Sequence, residues 1–358
     1  MVRIRKSIED VQEYIPGKTI EEVAKRYGVR PENVIKLASN ENPLGPSPKV
    51  VKAIKENATL ANRYPPADAG ELREALSKYV GFPPDQIVAG AGADGVMDVV
   101  TRLFIEKGHE VLIPIPTFPY YEIFARACGG TLRFISRDEN FDVSADDVLS
   151  ATTKKTKMVI ICSPNNPTGN QMSVSELKKI LDEVNVAVMV DEAYVEFADF
   201  SVTPLVREYE NLIVVRTMSK AFGLAGLRIG YGILPAKIAR EYMKIAPAFS
   251  VNKLGIAAGI AALGDKKHLH KTQEIVKKGR AFLQNNIPFK TYPSQANFVL
   301  MDVSPLTAEE VCEALMKKGI IVRDCSSFRG AGNSLIRVSV GTSDENQCVV
   351  GALREVSS

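Results

Sequence analysis

Ser219-Lys220-Ala221-Phe222-Gly223-Leu224-Ala225-Gly226-Leu227-Arg228 follows a β-rich run, Leu212-Ile213-Val214-Val215-Arg216-Thr217. The lysine leaves a strand and enters a loop of small residues, with Thr217, Ser219 and Arg228 around it. A lysine amine can form a Schiff base with an aldehyde, and hydroxyls with a guanidinium can hold a phosphate. An aldehyde and a phosphate on one small molecule describe pyridoxal phosphate.

Outward from this loop, short runs rich in Val and Ile recur at 86–89, 110–113, 157–162, 186–190 and 212–216. Most are separated by segments with helical apolar spacing, such as Val96, Met97, Val99, Val100, Leu103 and Phe104, or Leu177, Ile180, Leu181 and Val184. This alternation predicts an α/β fold built on a mainly parallel, helix-covered sheet. Beyond about residue 251 the pattern changes. Charged helices are expected at 257–263 and 271–285, a β-like run at 297–302, a helix at 307–318 and short strands at 320–323 and 335–340. That grouping predicts a smaller α+β domain. The expected division is an N-terminal arm over 1–38 associated with the small domain, a large cofactor-binding domain over 39–250 and a small C-terminal domain over 251–358.

The polar motifs fall where open α/β sheets bind ligands, outside the carboxyl ends of the strands. Ser163-Pro164-Asn165-Asn166-Pro167-Thr168-Gly169 follows the run ending at Cys162, and Asp191-Glu192-Ala193-Tyr194 follows the run ending at Val190. Asp191 closes a wholly apolar strand, and a buried carboxylate is costly unless paired. A pyridinium nitrogen is a fitting partner, because keeping it protonated makes the cofactor an electron sink. A helix cap or a structural salt bridge is the other role open to Asp191. Tyr194 and Asn166 can both hydrogen-bond the cofactor's phenolic oxygen, although Asn166-Pro167-Thr168-Gly169 also reads as a plain turn. Phe118, in Pro116-Thr117-Phe118-Pro119-Tyr120-Tyr121, can stack on the pyridine ring or belong to the core.

Gly90-Ala91-Gly92-Ala93-Asp94-Gly95 matches G-x-G-x-x-G between a strand and a helix, the pattern of a dinucleotide-binding turn. The acidic residue expected at the end of the next strand is missing, since that strand ends Ile113-Pro114-Ile115-Pro116. The physical content that survives is narrower. Small residues such as Gly92 and Ala93 let backbone N–H groups at a helix start approach a phosphate, aided by the helix dipole. Asp94 as the N-cap of that helix is compatible with the same turn.

Composition removes several other classes. Hydrophobic residues make up 45% and charged residues 24%, with a formal charge of +3 and both signs interspersed, so no nucleic-acid footprint is visible. No apolar run reaches a membrane span, and the start Met1-Val2-Arg3-Ile4-Arg5-Lys6 lacks a signal-peptide core. Cys128, Cys162, Cys312, Cys325 and Cys348 are unclustered, which reads as reduced thiols and points to the cytoplasm. His268 and His270 lack further metal ligands nearby, so no metal is expected. His109 lies in a turn, and none of these histidines adjoins a plausible nucleophile, which disfavours a Ser-His or Cys-His hydrolase.

Taken together, Gly92-Ala93-Asp94, Pro116-Thr117-Phe118, Asn165-Asn166-Pro167-Thr168-Gly169, Asp191-Glu192-Ala193-Tyr194 and Ser219-Lys220 with Arg228 resemble the fold-type-I pyridoxal-phosphate aminotransferases. Within them the chain most resembles the histidinol-phosphate aminotransferases. That closer likeness rests on Tyr14-Ile15-Pro16-Gly17-Lys18, Leu37-Ala38-Ser39-Asn40-Glu41-Asn42-Pro43-Leu44-Gly45-Pro46-Ser47-Pro48 and Arg63-Tyr64-Pro65. Val322-Arg323-Asp324 and Ile336-Arg337-Val338-Ser339-Val340-Gly341-Thr342 complete it.

The resemblance implies a role for each matching residue. Lys220 would hold the cofactor and shuttle a proton as general base and acid. Asp191 would hold the pyridinium nitrogen, Tyr194 and Asn166 the phenolic oxygen, and Phe118 would cover the ring. Relatives often have Tyr at the Phe118 position, so a hydroxyl's role there is lost. Backbone of Ala93 and Asp94, with Thr217, Ser219 and Arg228, would cradle the phosphate. Tyr64 would reach that phosphate from the other subunit of a homodimer. Arg337 would bind the glutamate carboxylate and, with Arg323 and Tyr14, the phosphate of histidinol phosphate, since a guanidinium can clamp either anion. Surface charge is the other reading of both arginines. The implied reaction is transamination between histidinol phosphate and 2-oxoglutarate in histidine biosynthesis. Aromatic amino-acid aminotransferases and threonine-phosphate decarboxylases are similar and remain open. A ligand-sensing regulator would need a DNA-binding segment, for which the pattern leaves no room.

Overall fold

The Val- and Ile-rich runs do form strands, and their order in space explains why the polar motifs meet. The computed structural model describes residues 2–9, 11 and 13–357. In chain order the strands are β1 (Ile35–Lys36), β2 (Ile87–Ala91), β3 (Glu110–Ile115), β4 (Thr131–Ser136), β5 (Thr156–Cys162), β6 (Ala187–Asp191) and β7 (Leu212–Thr217). They continue with β8 (Ile229–Ile233), β9 (Lys290–Thr291), β10 (Phe298–Asp302), β11 (Ile320–Ile321), β12 (Arg323–Asp324) and β13 (Leu335–Ser339).

The main sheet has the order β2-β8-β7-β6-β5-β3-β4. It is parallel except at β8, which runs antiparallel to both β2 and β7. Strands β6 and β7 are buried along their whole length, as expected for a sheet covered on both faces. The helix Gly92–Phe104 shows how the cover is made: Val96, Met97, Val99 and Val100 face the sheet and are fully buried.

A second, antiparallel sheet of order β12-β13-β10-β9 forms near the C-terminus, with its own apolar cluster around Val299, Met301, Val311, Leu315, Val338 and Leu353. The segment before residue 38 packs on that cluster through Ile35 and Leu37 and forms a separate two-stranded sheet, β1 paired in parallel with β11. The single strand expected at 320–323 is in fact two: Ile320–Ile321 pairs with β1, and Arg323–Asp324 crosses to β13. The charged helices expected at 257–263 and 271–285 begin earlier, at Lys253–Leu263 and Lys266–Asn286. Asn252 and Asp265 set those starts by accepting from the N–H groups of Gly255 and His268. The first of these helices packs on Pro48–Asn57 and Gly70–Val80, against the main sheet's side of the molecule.

Candidate active site

The carboxyl ends of β5, β6 and β7 open on a cavity of about 200 Å³. Tyr14, Ala93, Asp94, Phe118, Asn166, Asp191, Tyr194, Thr217, Ser219, Lys220, Arg228, Arg323 and Arg337 all line it. Gly92 backs it at the start of the helix Gly92–Phe104. Tyr64 is elsewhere, 84% exposed and packed on Phe249 with ring centroids 4.8 Å apart. The single chain therefore brings together every expected site residue except Tyr64.

Lys220 follows the last turn out of β7, and its Nζ donates to the Ser39 carbonyl at 3.1 Å. Burial, reinforced by the Arg337 charge, pulls its pKa down to about 8. An amine so placed is available in its neutral, nucleophilic form near physiological pH. Asp191 ends β6 and is 4% exposed. Its carboxylate accepts from the Tyr121 hydroxyl at 2.6 Å and from the Ala193 N–H at 3.0 Å. Burial pushes its pKa up to about 6 against those hydrogen bonds. Arg216 pairs with Glu192 at 2.8 Å and Arg228 with Asp94 at 2.7 Å, and no salt bridge among the described residues reaches Asp191. Asp191 thus holds a buried negative charge without a cationic side-chain partner among the described residues.

At the other end of the cavity, the helix Gly92–Phe104 starts with no side-chain cap. Asp94 does not cap it: the residue lies inside the first turn, and its carboxylate is drawn to Arg228. The Gly92 N–H is taken by the Arg228 carbonyl at 3.0 Å, which leaves the N–H groups of Ala93 and Asp94 open to an anion. Thr217 donates to the Ser219 hydroxyl at 2.9 Å and accepts from the Ser219 N–H at 3.1 Å, gathering both hydroxyls beside that helix start. Glycine is required at two points, by left-handed backbone at Gly92 and by close backbone approach at Gly230. Gly92 lies at φ 81°, and a Cβ there would come within 2.5 Å of Arg228 Nη2. A Cβ on Gly230 of β8 would meet the Ala93 nitrogen at 2.1 Å. The G-x-G-x-x-G run is thus a close-packed turn at the start of that helix. Its strand β2 is an edge strand antiparallel to β8, not the first strand of a parallel dinucleotide-binding unit.

Arg323 and Arg337 are 6% and 5% exposed, which rules out the surface-charge reading. Adjacent strands position them: Arg323 on β12 is the direct cross-strand partner of Arg337 on β13. Arg323 donates to the Ile15 carbonyl at 2.9 Å and the Ser327 hydroxyl at 3.0 Å, with its guanidinium 5.9 Å from the Tyr14 ring centre. Arg337 donates to the Asn166 side-chain carbonyl and, at 2.6 Å, to the Ala38 carbonyl, while its buried Nε has no partner. Neither arginine forms an ion pair among the described residues. Two buried cations without counter-charges make a ready anion site.

Pyridoxal phosphate fits this set of groups. The amine of lowered pKa, the unpaired buried carboxylate and the uncapped helix start suit its aldehyde, its ring nitrogen and its phosphate in turn. Phe118 lines the cavity and stacks on Tyr120 with ring centres 5.4 Å apart, leaving an aromatic wall beside Asp191 and Lys220. Sequence reasoning missed Tyr121, Ser39 and Asn40. Each lay inside a quoted motif, yet its partner is distant in sequence: Tyr121 bonds Asp191, Ser39 bonds Lys220, and Asn40 donates to Tyr194 at 3.0 Å. Among the described residues all five cysteines are free, and no cluster of His, Cys, Asp or Glu could hold a metal. No helix among them is long and apolar enough to cross a membrane.

Comparison with known proteins agrees with this geometry. Residues 32–353 match the model of the family Aminotransferase class I and II. The chain is 56% identical over 350 residues to the histidinol-phosphate aminotransferase of Methanosarcina mazei, covering 98% of this chain and 95% of that protein. The same enzyme of Methanosarcina barkeri is also 56% identical, over 98% of this chain and 96% of its own length. Among solved structures, the histidinol-phosphate aminotransferase of Sinorhizobium meliloti in complex with pyridoxal-5'-phosphate superposes with a TM-score of 0.90 at 26% identity. That likeness covers 100% of this chain and 98% of the other. With the family model spanning most of its length and full-length relatives at this identity, the chain belongs to the class I and II aminotransferases.

Proposed function

We propose that this protein is a histidinol-phosphate transaminase. It exchanges an amino group between histidinol phosphate and 2-oxoglutarate, giving imidazole acetol phosphate and glutamate, as a cytoplasmic step of histidine biosynthesis. The observation that carries the substrate choice is the pair Arg323 and Arg337, buried without counter-charges in the cavity that Lys220 also lines. Histidinol phosphate presents a phosphate near its reacting carbon, and glutamate presents a carboxylate. Both are anions that a guanidinium can clamp.

Pyridoxal phosphate, when bound, supplies an aldehyde for amine exchange and a ring that withdraws electrons from the reacting carbon. The chain's residues do the rest. Asp191 holds the proton on the ring nitrogen, and its burial makes that charge pairing strong. Lys220 attaches the cofactor in the resting enzyme and moves the proton at the substrate carbon, a task suited to an amine with pKa about 8. Tyr194 and Asn166 serve the phenolic oxygen, and Phe118 covers the ring. Ala93 and Asp94 N–H groups, with Thr217, Ser219 and Arg228, hold the phosphate. Arg337 receives the carboxylate of glutamate, and Arg323 with Arg337 and Tyr14 the phosphate of histidinol phosphate.

The exposed Tyr64–Phe249 pair supports a homodimer in which Tyr64 completes the partner's cofactor site. The test is a substrate panel. Histidinol phosphate should be turned over far faster than phenylalanine or threonine phosphate, and Lys220→Ala should abolish turnover. Rates on phenylalanine well above those on histidinol phosphate would overturn the substrate choice.

A further inference from the structure

Asn40 stands at a crossing of three parts of the chain. Its backbone N–H donates to the Ser339 hydroxyl at 2.8 Å, and its backbone carbonyl accepts from the Asn297 side chain at 3.0 Å. Ser339 ends β13 and Asn297 immediately precedes β10, so the small antiparallel sheet grips this residue from one side. From the other side its Nδ2 donates to the Tyr194 hydroxyl, just beyond the main-sheet strand β6. Asn40 is 1% exposed and lies at φ 53°, a left-handed conformation that asparagine adopts more readily than other side-chain-bearing residues.

The hydrogen bonds fix which way its amide points. Ser339 accepts the Asn40 backbone N–H and donates its own proton to Asn40 Oδ1 at 2.9 Å. With the amide reversed, the buried Ser339 hydroxyl would face two donors and its proton would lose its acceptor. The amide NH2 is thereby committed to Tyr194. A phenolic oxygen that accepts from Asn40 must send its own proton elsewhere, and Tyr194 lines the cavity shared with Asp191 and Lys220.

We propose that Asn40, oriented by Ser339, is a positioning residue that fixes the hydrogen-bond polarity of Tyr194, aiming the phenol's proton into the cavity as a donor to the cofactor's phenolic oxygen. The inference rests on the place given to Tyr194 in the proposed function. It makes the donor depend on the small sheet, because Ser339 belongs to β13. The Tyr194 proton is directed inward only while that sheet is seated on the segment at residues 39–40.

The visible absorbance of the cofactor-loaded protein, titrated with pH, tests this without turnover. A donor to the phenolic oxygen favours the deprotonated form of the bound cofactor, so losing it raises the titration midpoint. Tyr194→Phe should raise the midpoint by about one pH unit, the worth of one such hydrogen bond. Asn40→Asp keeps the shape and the tolerance of left-handed backbone but replaces the amide donor with an acceptor, which would recapture the Tyr194 proton. Its added charge also raises the midpoint, whichever residue stands at position 194. The decisive quantity is therefore the double-mutant cycle. Asn40→Asp should shift the midpoint by about one pH unit more when Tyr194 is present than in the Tyr194→Phe background. Equal shifts in both backgrounds overturn the relay. A Tyr194→Phe midpoint equal to that of the wild type instead removes the reading of Tyr194 on which it rests. Should Asn40→Asp fail to fold, Ser339→Ala decides. It frees the amide to turn, and should raise the midpoint only when Tyr194 is present; an equal effect in both backgrounds refutes the relay.

Discussion

Asp191→Asn should make the cofactor-free protein more stable while weakening its hold on pyridoxal phosphate. The carboxyl is moved by burial from an ordinary 3.8 to about 6. At about 1.4 kcal/mol per pK unit, keeping it charged costs the folded apoprotein about 3 kcal/mol. For a carboxyl raised in the folded state, this penalty is absent below the unfolded pKa, grows between the two values and is complete above the folded one. Asparagine removes the charge and can keep both hydrogen bonds. Its oxygen can accept from the Ala193 N–H, and its amide can donate to the Tyr121 hydroxyl, which now accepts.

The expected gain from Asp191→Asn is therefore about 3 kcal/mol at pH 8, about half that at pH 5 and less than about 1 kcal/mol at pH 4. Guanidinium unfolding of both apoproteins, at matched concentration across that pH range, measures it. Cofactor affinity should move the opposite way, because the ring nitrogen loses its counter-charge. The stabilisation that added pyridoxal phosphate confers should then shrink. An apo variant no more stable than wild type at pH 8, or an advantage that does not narrow toward pH 4, would refute the argument.

Other consequences can be checked as directly. With the Lys220 pKa at about 8, the rate at which apoprotein captures pyridoxal phosphate should rise about fivefold from pH 7 to pH 8 and level off above pH 9; stopped-flow absorbance reads this, and a flat profile contradicts the lowered value. Gly92→Ala places a Cβ within 2.5 Å of Arg228 Nη2 in a left-handed backbone, so equilibrium dialysis should show the pyridoxal phosphate Kd raised by at least about tenfold, and a change under twofold would count against the cradle. Arg323→Ala should raise KM for histidinol phosphate by at least about tenfold with little effect on glutamate, whereas Arg337→Ala should raise both. Equal effects of Arg323→Ala on the two substrates would refute the division of labour.

How much of this was legible beforehand depends on sequence separation. Lys220, Asp191 and Asn166 could be read from the chain because each follows a strand whose apolar run is local. The strand-end rule then places them together without knowledge of any side-chain contact. Strand order was not legible in the same way. Nothing near Gly90–Gly95 says that β2 is an edge strand antiparallel to β8, a fact that excludes the dinucleotide reading independently of the missing acid. The split of 320–323 between two sheets was equally hidden, because the run has one apolar pattern and two different partners.

The polar contacts that condition the site are less legible still. Tyr121 reaches Asp191 across 70 positions, and Asn40 reaches Tyr194 across 154. No periodicity or motif spacing encodes such pairs, since hydrogen-bond partners are chosen by the folded geometry. Both contacts bear on chemistry: one holds the carboxylate that would face the ring nitrogen, the other the phenol that would face the ring oxygen. Lys220 itself donates to Ser39, the neighbour of Asn40, and lies in the field of Arg337, which donates to Ala38. Residues 38–40 therefore touch Lys220, Tyr194 and Arg337 at once. A displacement of this short segment would alter all three together, so a substitution at Asn40 should perturb cofactor titration and substrate binding in parallel, while one at Tyr121 should act through Asp191.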